Sequence, residues 1–565
     1  MECIYAPEFS LLLKSKLVHL QKLIRFIFVL LLFFPFGAKS QTPSILWRFN
    51  THDMSFGNAA IDDLLGDGRK EIAFSCYWGD SNIYVVHAED GSLLWKQNMG
   101  GCNDAAPIIY DVFKNGHKEI ILGSSCNPVL TCFDGATGAI IWQTPFGGTD
   151  SPPSIDLDTN GNPQILVGDF EGNLNCFSAD SGKLKWQVVV DDSAAIEASP
   201  ALVDINGDGQ PDIIVCTWSY AGSGDSTAIY AYDGVTHNLL WKNPIPTDVI
   251  YHGAAFGPVS EDGHPELAIT SYDGHVYLLN GPNGALKWAY PTSGLTYIGD
   301  PVTIGSIKND GHLEMVYSGG YGEEDALDRN GNLLWSFFMP SYESSFRGAV
   351  LADVNNDDTL DVIFACTDGK VYALNGSRGN LLWEINLRAD YGDSSFQLEH
   401  GPIVSSFKND DTLDVFVEGG QTYYPNIDSD FGRAYAIKIG VGKGPDWMMF
   451  QHDYTRSNCV CNPSPDASIN AVKNPALKVA DYPNPFSNNI TFNVLLDNSS
   501  ELSVIVYNMQ GVAVKTFTNQ RVSAGNYLFT WNGKGDNGTN LPDGVYYCKI
   551  VADKKMTVKK VVLVR

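Results

Sequence analysis

Tryptophan recurs along this chain at a nearly constant interval. Trp47, Trp95, Trp142, Trp186, Trp241, Trp288, Trp335 and Trp383 lie 48, 47, 44, 55, 47, 47 and 48 residues apart, and Trp447 follows after 64. A period of that length marks a repeat architecture, in which each unit buries its apolar surface only against its neighbours. Most of these tryptophans end one kind of phrase: DGSLLW, DGATGAIIW, ADSGKLKW, NGPNGALKW, DRNGNLLW and NGSRGNLLW. The glycine supplies a turn with positive φ, and the aliphatic run into the tryptophan is a short strand.

Each unit carries a second phrase upstream, clearest as VDINGDGQPDIIV at 203–215. Its relatives are IDDLLGDGRKEIAF, YDVFKNGHKEIIL, IDLDTNGNPQILV, SEDGHPELAI, IKNDGHLEMV, ADVNNDDTLDVIF and FKNDDTLDVFV, which makes eight copies. Each copy is a strand, a polar loop of about nine residues and a second strand; a third strand such as GHVYLLN or GKVYALN follows. Four short strands per unit make one propeller blade. The expected fold is all-β, an eight-bladed β-propeller over 41–455 with a seven-bladed ring as the alternative, because the Trp447 phrase GPDWMMFQHD is aberrant. The phrase SILWRFN (44–50) has only the fourth-strand signature and is predicted to pair into the last blade, closing the ring. The 55 glycines and 28 prolines suit such a turn-rich chain.

These units resemble the FG-GAP/VCBS-type and the quinoprotein-like (pyrroloquinoline quinone-type) propeller repeats of secreted bacterial proteins. The resemblance covers about 44–455 and implies the fold; that architecture hosts enzymes and binding proteins alike.

Both ends read as addresses. Lys14, Lys16, Lys22 and Arg25 precede the apolar stretch Phe26–Gly37 and the small-residue site Ala38-Lys39-Ser40, the layout of a secretory signal peptide over 1–40. No later stretch has the length and apolarity of a membrane span, so no transmembrane segment is expected in the mature chain. Residues 456–475 read as a polar linker and 476–565 as a small Ig-like β-sandwich. Its phrases YPNPF (Tyr482, Pro483, Asn484, Pro485, Phe486), VYNMQG, WNGKGDNG, LPDGVYY (with Gly544) and KKVVLVR (from Lys559 and Lys560) resemble the C-terminal sorting domain of type IX secretion substrates of Bacteroidetes-like bacteria. That resemblance implies export through the type IX machinery and a secreted or cell-surface location reached through the periplasm.

Two kinds of site are expected. The unit-four loop places Asp204, Asn206, Asp208 and Asp212 at positions 1, 3, 5 and 9, and unit seven places Asp353, Asn355, Asp357 and Asp361. Oxygen donors at that spacing wrap a hard cation, so structural Ca²⁺ is expected in both, and a weaker site at Asp156, Asp158 and Asn160. In the other loops the aspartates are expected to cap turns. Second, the residues leading into the first strand of successive units are Asp104, Asp150, Glu197, His252, Asp300, Arg347 and His400. They should ring the mouth of the axial channel and bind a polar ligand or a metal. Aromatic-bearing insertions at 76–80, 217–226, 319–325 and 420–431 are expected on the same face.

The net charge of −28 excludes nucleic acid as a partner. No nucleophile elbow or H-E-x-x-H motif occurs. The leading expectation is a non-enzymatic binding or adhesion protein for an extracellular glycan, polymer or protein. The alternatives are a quinoprotein-type dehydrogenase, although no adjacent Cys-Cys pair is present, and a polysaccharide-degrading propeller.

Overall fold

A computed structural model describes residues 42–460 and 478–565, apart from short stretches such as 219–226, 261–263, 293–300 and 453–455. The signal segment, Asp300, Pro483, Asn484, Pro485 and most of the predicted linker lie outside the described residues. The chain divides into two compact units, Met1–Ile469 and Asn470–Arg565.

In the first unit each repeat folds as one antiparallel sheet with its strands in chain order. The first repeat comprises Ala60–Asp62, Glu71–Ser75, Asn82–His87 and Leu93–Asn98. Eight such sheets occur among the described residues. Their second strands are buried on both faces, as in Glu71–Ser75, Glu119–Gly123 and Asp361–Cys366, which is why they read as unbroken apolar runs rather than alternating ones. Outer strands alternate instead: Leu93 is exposed and Trp95 buried. Cores run across neighbouring sheets, so that Leu278, Val316 and Phe364 of three successive repeats share one cluster.

The recurring tryptophan is an inter-repeat latch. The indole Nε1 of Trp47, Trp95, Trp142, Trp241, Trp288 and Trp335 donates to a backbone carbonyl of the next repeat (Ala88, Gly135, Ala179, Gly281, Arg329 and Gly376) at 2.7 to 3.1 Å. The turn glycine of that next repeat lies flat on the indole: a Cβ on Gly91, Gly138 or Gly379 would come within 2.6 Å of the ring. At the Trp186 junction His237 stands in place of this glycine, takes φ 59° and stacks on Trp186 at 4.0 Å.

The ring predicted to close through SILWRFN does so: Ser44–Thr51 forms the outer strand of the last repeat's sheet, pairing Ser44 with Lys438 and Thr51 with Gly432. The aberrant Trp447 phrase is no outer strand. Lys443–Trp447 adds a fifth strand on the inner edge of the unit-seven sheet, antiparallel to Val350–Asp353. Val404 donates its N–H to the Met448 carbonyl at 3.0 Å. The chain reverses at Met449 and His452, where Gln451 and His452 both have positive φ, and returns beside unit five, Val460 N–H bonding to the Phe256 carbonyl. The fully buried Arg456 guanidinium donates to the carbonyls of Phe450, Ala59 and Pro107. The first unit thus continues beyond residue 455, where the sequence places a linker, and a hairpin of this segment occupies the axis.

The second unit is a two-sheet sandwich. Lys478–Tyr482, Ile490–Leu496 and Gly525–Trp531 form one sheet; Ala513–Val522, Ser500–Tyr507, Gly544–Ala552 and Lys555–Leu563 form the other. Trp531 and Tyr546 meet edge to face at 5.1 Å in its core. No helix among the described residues is long and apolar enough to cross a membrane.

Candidate functional site

Asp104, Asp150 and Glu197 lie four residues before the inner strands starting at Ile108, Ser154 and Ala201; His252, Arg347 and His400 lie three before those starting at Ala255, Val350 and Ile403. A shared register at the entrance of inner strands brings side chains from different repeats to one end of the axis. Arg347 is the hub. Its charge acts on Asp104, Asp150, Glu197, His252 and His400, and on Glu399, which the sequence reading did not single out. Its Nη1 lies 3.5 Å from His252 Nδ1, and its guanidinium sits 5.7 to 5.9 Å from the rings of Tyr251, Phe346 and Phe450.

Burial sets the protonation of this ring. Glu197 is pushed up to about 8 by burial, with Asp150 adding to it. Asp104 is raised well above the carboxylate range by burial and then by Asp150, and the two carboxyls share a hydrogen bond. His400 is driven down to about 3 by burial, reinforced by Arg347 and Arg456. His252 is lowered for the same first reason. Near neutral pH Glu197 therefore keeps its proton and the His400 imidazole is neutral, and they stand with the other carboxyls and one guanidinium in a surface dense in hydrogen-bond donors and acceptors. Among the described residues no group of three or more His, Cys, Asp or Glu is arranged to hold a metal ion.

The nine-residue loops lie at the other end of the inner strands. In unit four both oxygens of Asp204 accept backbone N–H groups, from Gly207 at 2.7 Å and Gly209 at 2.9 Å. Asp353 does the same for Asp357 and Asp358. Asp63 and Asp111, in loops with incomplete ligand sets, make the same pair of bonds. The first aspartate is thus a turn cap in every one of these loops. Position 9 ties the loop back: Asp212, Asp361, Glu71, Glu119, Glu314 and Asp414 each accept the backbone N–H of the residue seven positions earlier, at 2.9 to 3.2 Å. In unit three Gln164 bonds to Asp156 instead, and Asp158 caps Asn160 and Asn162. Cation-like crowding is strongest in unit seven, where burial and then Asp357 and Asp353 push Asp361 up to about 8.

The expected insertions differ in kind. In the third, Gly319 donates its N–H to the Glu323 carbonyl, and Glu323 to Asp325 already belong to the strand Glu323–Leu327. Trp78 and Tyr423 are exposed, each at 41%. Cys102 and Cys126, whose pairing the sequence left open, form a disulfide. In the second unit, Phe486 of YPNPF donates to the Val562 carbonyl and accepts from Val564, both at 2.9 Å, so the two ends of the predicted sorting signal meet. Lys559 and Lys560 lie in the last strand, opposite Cys548 and Tyr547, and Gly544 opens the strand between.

Comparison with known proteins agrees with this fold. The family described as outer membrane protein assembly factor BamB matches residues 79–248 and 225–433, together more than half of the chain. A FlgD Ig-like domain matches 487–555. Tetrathionate hydrolase of Acidithiobacillus ferrooxidans is 22% identical over 276 residues, covering 46% of this chain and 50% of that protein. The outer membrane protein assembly factor BamB of Yersinia pestis is 24% identical over 277 residues, 47% of this chain and 64% of that protein. The chain thus spans between half and two thirds of the length of these relatives. A europium-containing methanol dehydrogenase superposes with a TM-score of 0.52 at 12% identity, covering 70% of this chain and 93% of that one; this likeness is one of fold. The repeats, their sheets and the extent of the match place the chain in the PQQ-type repeat propeller family described as outer membrane protein assembly factor BamB.

Proposed function

We propose that this chain is an exported extracellular binding protein: an eight-bladed propeller that takes a glycan at the ring around Arg347. The observation that carries this reading is the make-up of the ring. Carboxyls, neutral imidazoles and a guanidinium stand beside Tyr251, Phe346 and Phe450. Sugars need both halves of that set, polar groups for their hydroxyls and aromatic faces for their C–H surfaces. The C-terminal sandwich serves type IX export to the outside of the cell, a role supported by the meeting of Phe486 with the basic last strand. Structural Ca²⁺ in the unit-seven and unit-four loops belongs to the same reading, supported by the crowding of Asp353, Asp357 and Asp361.

The family likeness also raises a quinone dehydrogenase. The ring does not fit its cofactor: it sets one guanidinium, Arg347, against the three carboxylates of such a quinone, whose lost hydration the buried carboxyls of Asp104, Asp150, Glu197 and Glu399 would not offset.

A glycan and polymer array probed with the full chain tests the proposal. Binding should be retained by the wild type and fall at least tenfold in Glu197→Gln and in Arg347→Gln. Binding that survives both changes would move the site elsewhere, and release of sugar from a bound polymer would replace the binding reading by the polysaccharide-degrading one.

A further inference from the structure

The hairpin in the axis meets the ring. Phe450 at its tip lies 5.4 Å from the His252 ring and 5.9 Å from the Arg347 guanidinium. Gln451 follows it, 1% exposed, and neither atom of its side-chain amide has a hydrogen-bond partner within the chain. Both ring nitrogens of His400, Nε of Arg347, Nε2 of His252 and Oε2 of Glu197 are likewise buried and without a partner. A buried unmade hydrogen bond costs about 1–3 kcal/mol. So many of them around one tip, from the ring and the hairpin, describe a place built to receive polar atoms from outside the chain.

Exposure orders these groups by depth. Asp104 and Asp150 are partly exposed; Glu197 is 8% exposed, His252 and Arg347 5%, His400 and Gln451 1%, and Arg456 is fully buried. Oδ1 of Asp104 and of Asp150 are buried and unpartnered as well, and this order of exposure points to a well that opens toward these two residues and is closed by the hairpin. The closure is firm: Arg456 ties the hairpin to units one and two, Met448 to unit eight, Lys443–Trp447 to unit seven and Val460 to unit five.

Resting on the glycan reading of the ring, we propose that the well takes the terminal sugar of a chain, with Phe450 and Gln451 as its floor. A terminal sugar exposes hydroxyls to the carboxyls, imidazoles, guanidinium and amide at once and lays its C–H face on Phe450. The interior of a polymer would need an exit through the axis, where the hairpin stands.

The test uses the full chain and dextran, xylan, mannan and β-glucan fractions of defined length. Competition for the bound protein should rise, per gram of polymer, in proportion to the number of chain ends: about tenfold for a tenfold shorter fraction. Competition per gram that does not change with length would overturn end recognition while leaving glycan binding intact. A panel in which no fraction of any length competes would overturn the glycan reading itself. Gln451→Gly removes the amide and suits the left-handed backbone there (φ 63°). It should weaken binding of the shortest fraction about tenfold with an unchanged melting curve; unchanged affinity would remove Gln451 from the floor.

Discussion

The indole latch shows one residue serving two purposes. The ring is a platform for the next repeat's turn glycine, and its N–H bonds to that repeat's backbone. Trp383 lacks the bond, its Nε1 being buried with no partner, whereas Trp95 bonds to the Gly135 carbonyl at 2.8 Å. Trp95→Phe should therefore cost about 1 kcal/mol more than Trp383→Phe in urea unfolding, both losing the same buried ring atoms and only the first a hydrogen bond. Equal losses at both positions would mean that the platform alone matters. The ring residues were legible for a related reason: a repeat fixes register, and register fixes which side chains reach the axis. Glu399 escaped because the register marks one residue per repeat, and in unit eight that place belongs to His400. Phe450 and Gln451 escaped because they lie where the repeat fails; the 64-residue gap before Trp447 and Pro445-Asp446 in place of the aliphatic pair were the available signal.

Among the elements, the nine-residue loop repeats most faithfully, and its position-9 acid carries a pH dependence. Glu314 accepts the Ile307 N–H at 3.1 Å, and burial, then Asp310, push it up to about 7. The unfolded carboxyl loses its proton near 4.5. The folded chain thus holds the extra proton between those values, and stability falls as pH rises through them. Glu314→Gln, the residue type that Gln164 supplies in unit three, should match the wild type at pH 4. At pH 8 it should exceed it by at most about 3 kcal/mol. A pH-independent difference would refute the assignment. The unit-four and unit-seven loops give the second test at this scale. Adding Ca²⁺ should raise the melting temperature and chelation should reverse the rise. Asp361→Asn should abolish the response in unit seven; melting curves insensitive to Ca²⁺ would leave these aspartates as turn caps only. Sequence separated capping from ligation poorly because one set of oxygens does both, and the two roles share a spacing.

At the scale of the molecule, the two units differ in what closes them. The sandwich closes on its own core around Trp531 and Tyr546; the propeller closes on a seam between its first strand and its last repeat. Removing residues 41–51 would bare the edge of Phe431–Val441 and expose a ready template for strand pairing. Such a truncation should melt lower and self-associate in light scattering; a monomer of unchanged stability would show that the seam carries no weight. The overall architecture was legible because composition, turn chemistry and period all pointed to one fold. The axial hairpin was not, because a single copy has no period to reveal it.

The seam has a consequence in time. Ser44 leaves the ribosome long before Lys438, its partner, has been made. Early repeats can form sheets, but no ring stands until the last repeat has appeared, and its axis is sealed later still, when Arg456 arrives. The chain must therefore spend its early life as an open string of unfinished sheets, which makes whatever escorts it during that interval as much a determinant of its yield as its own sequence.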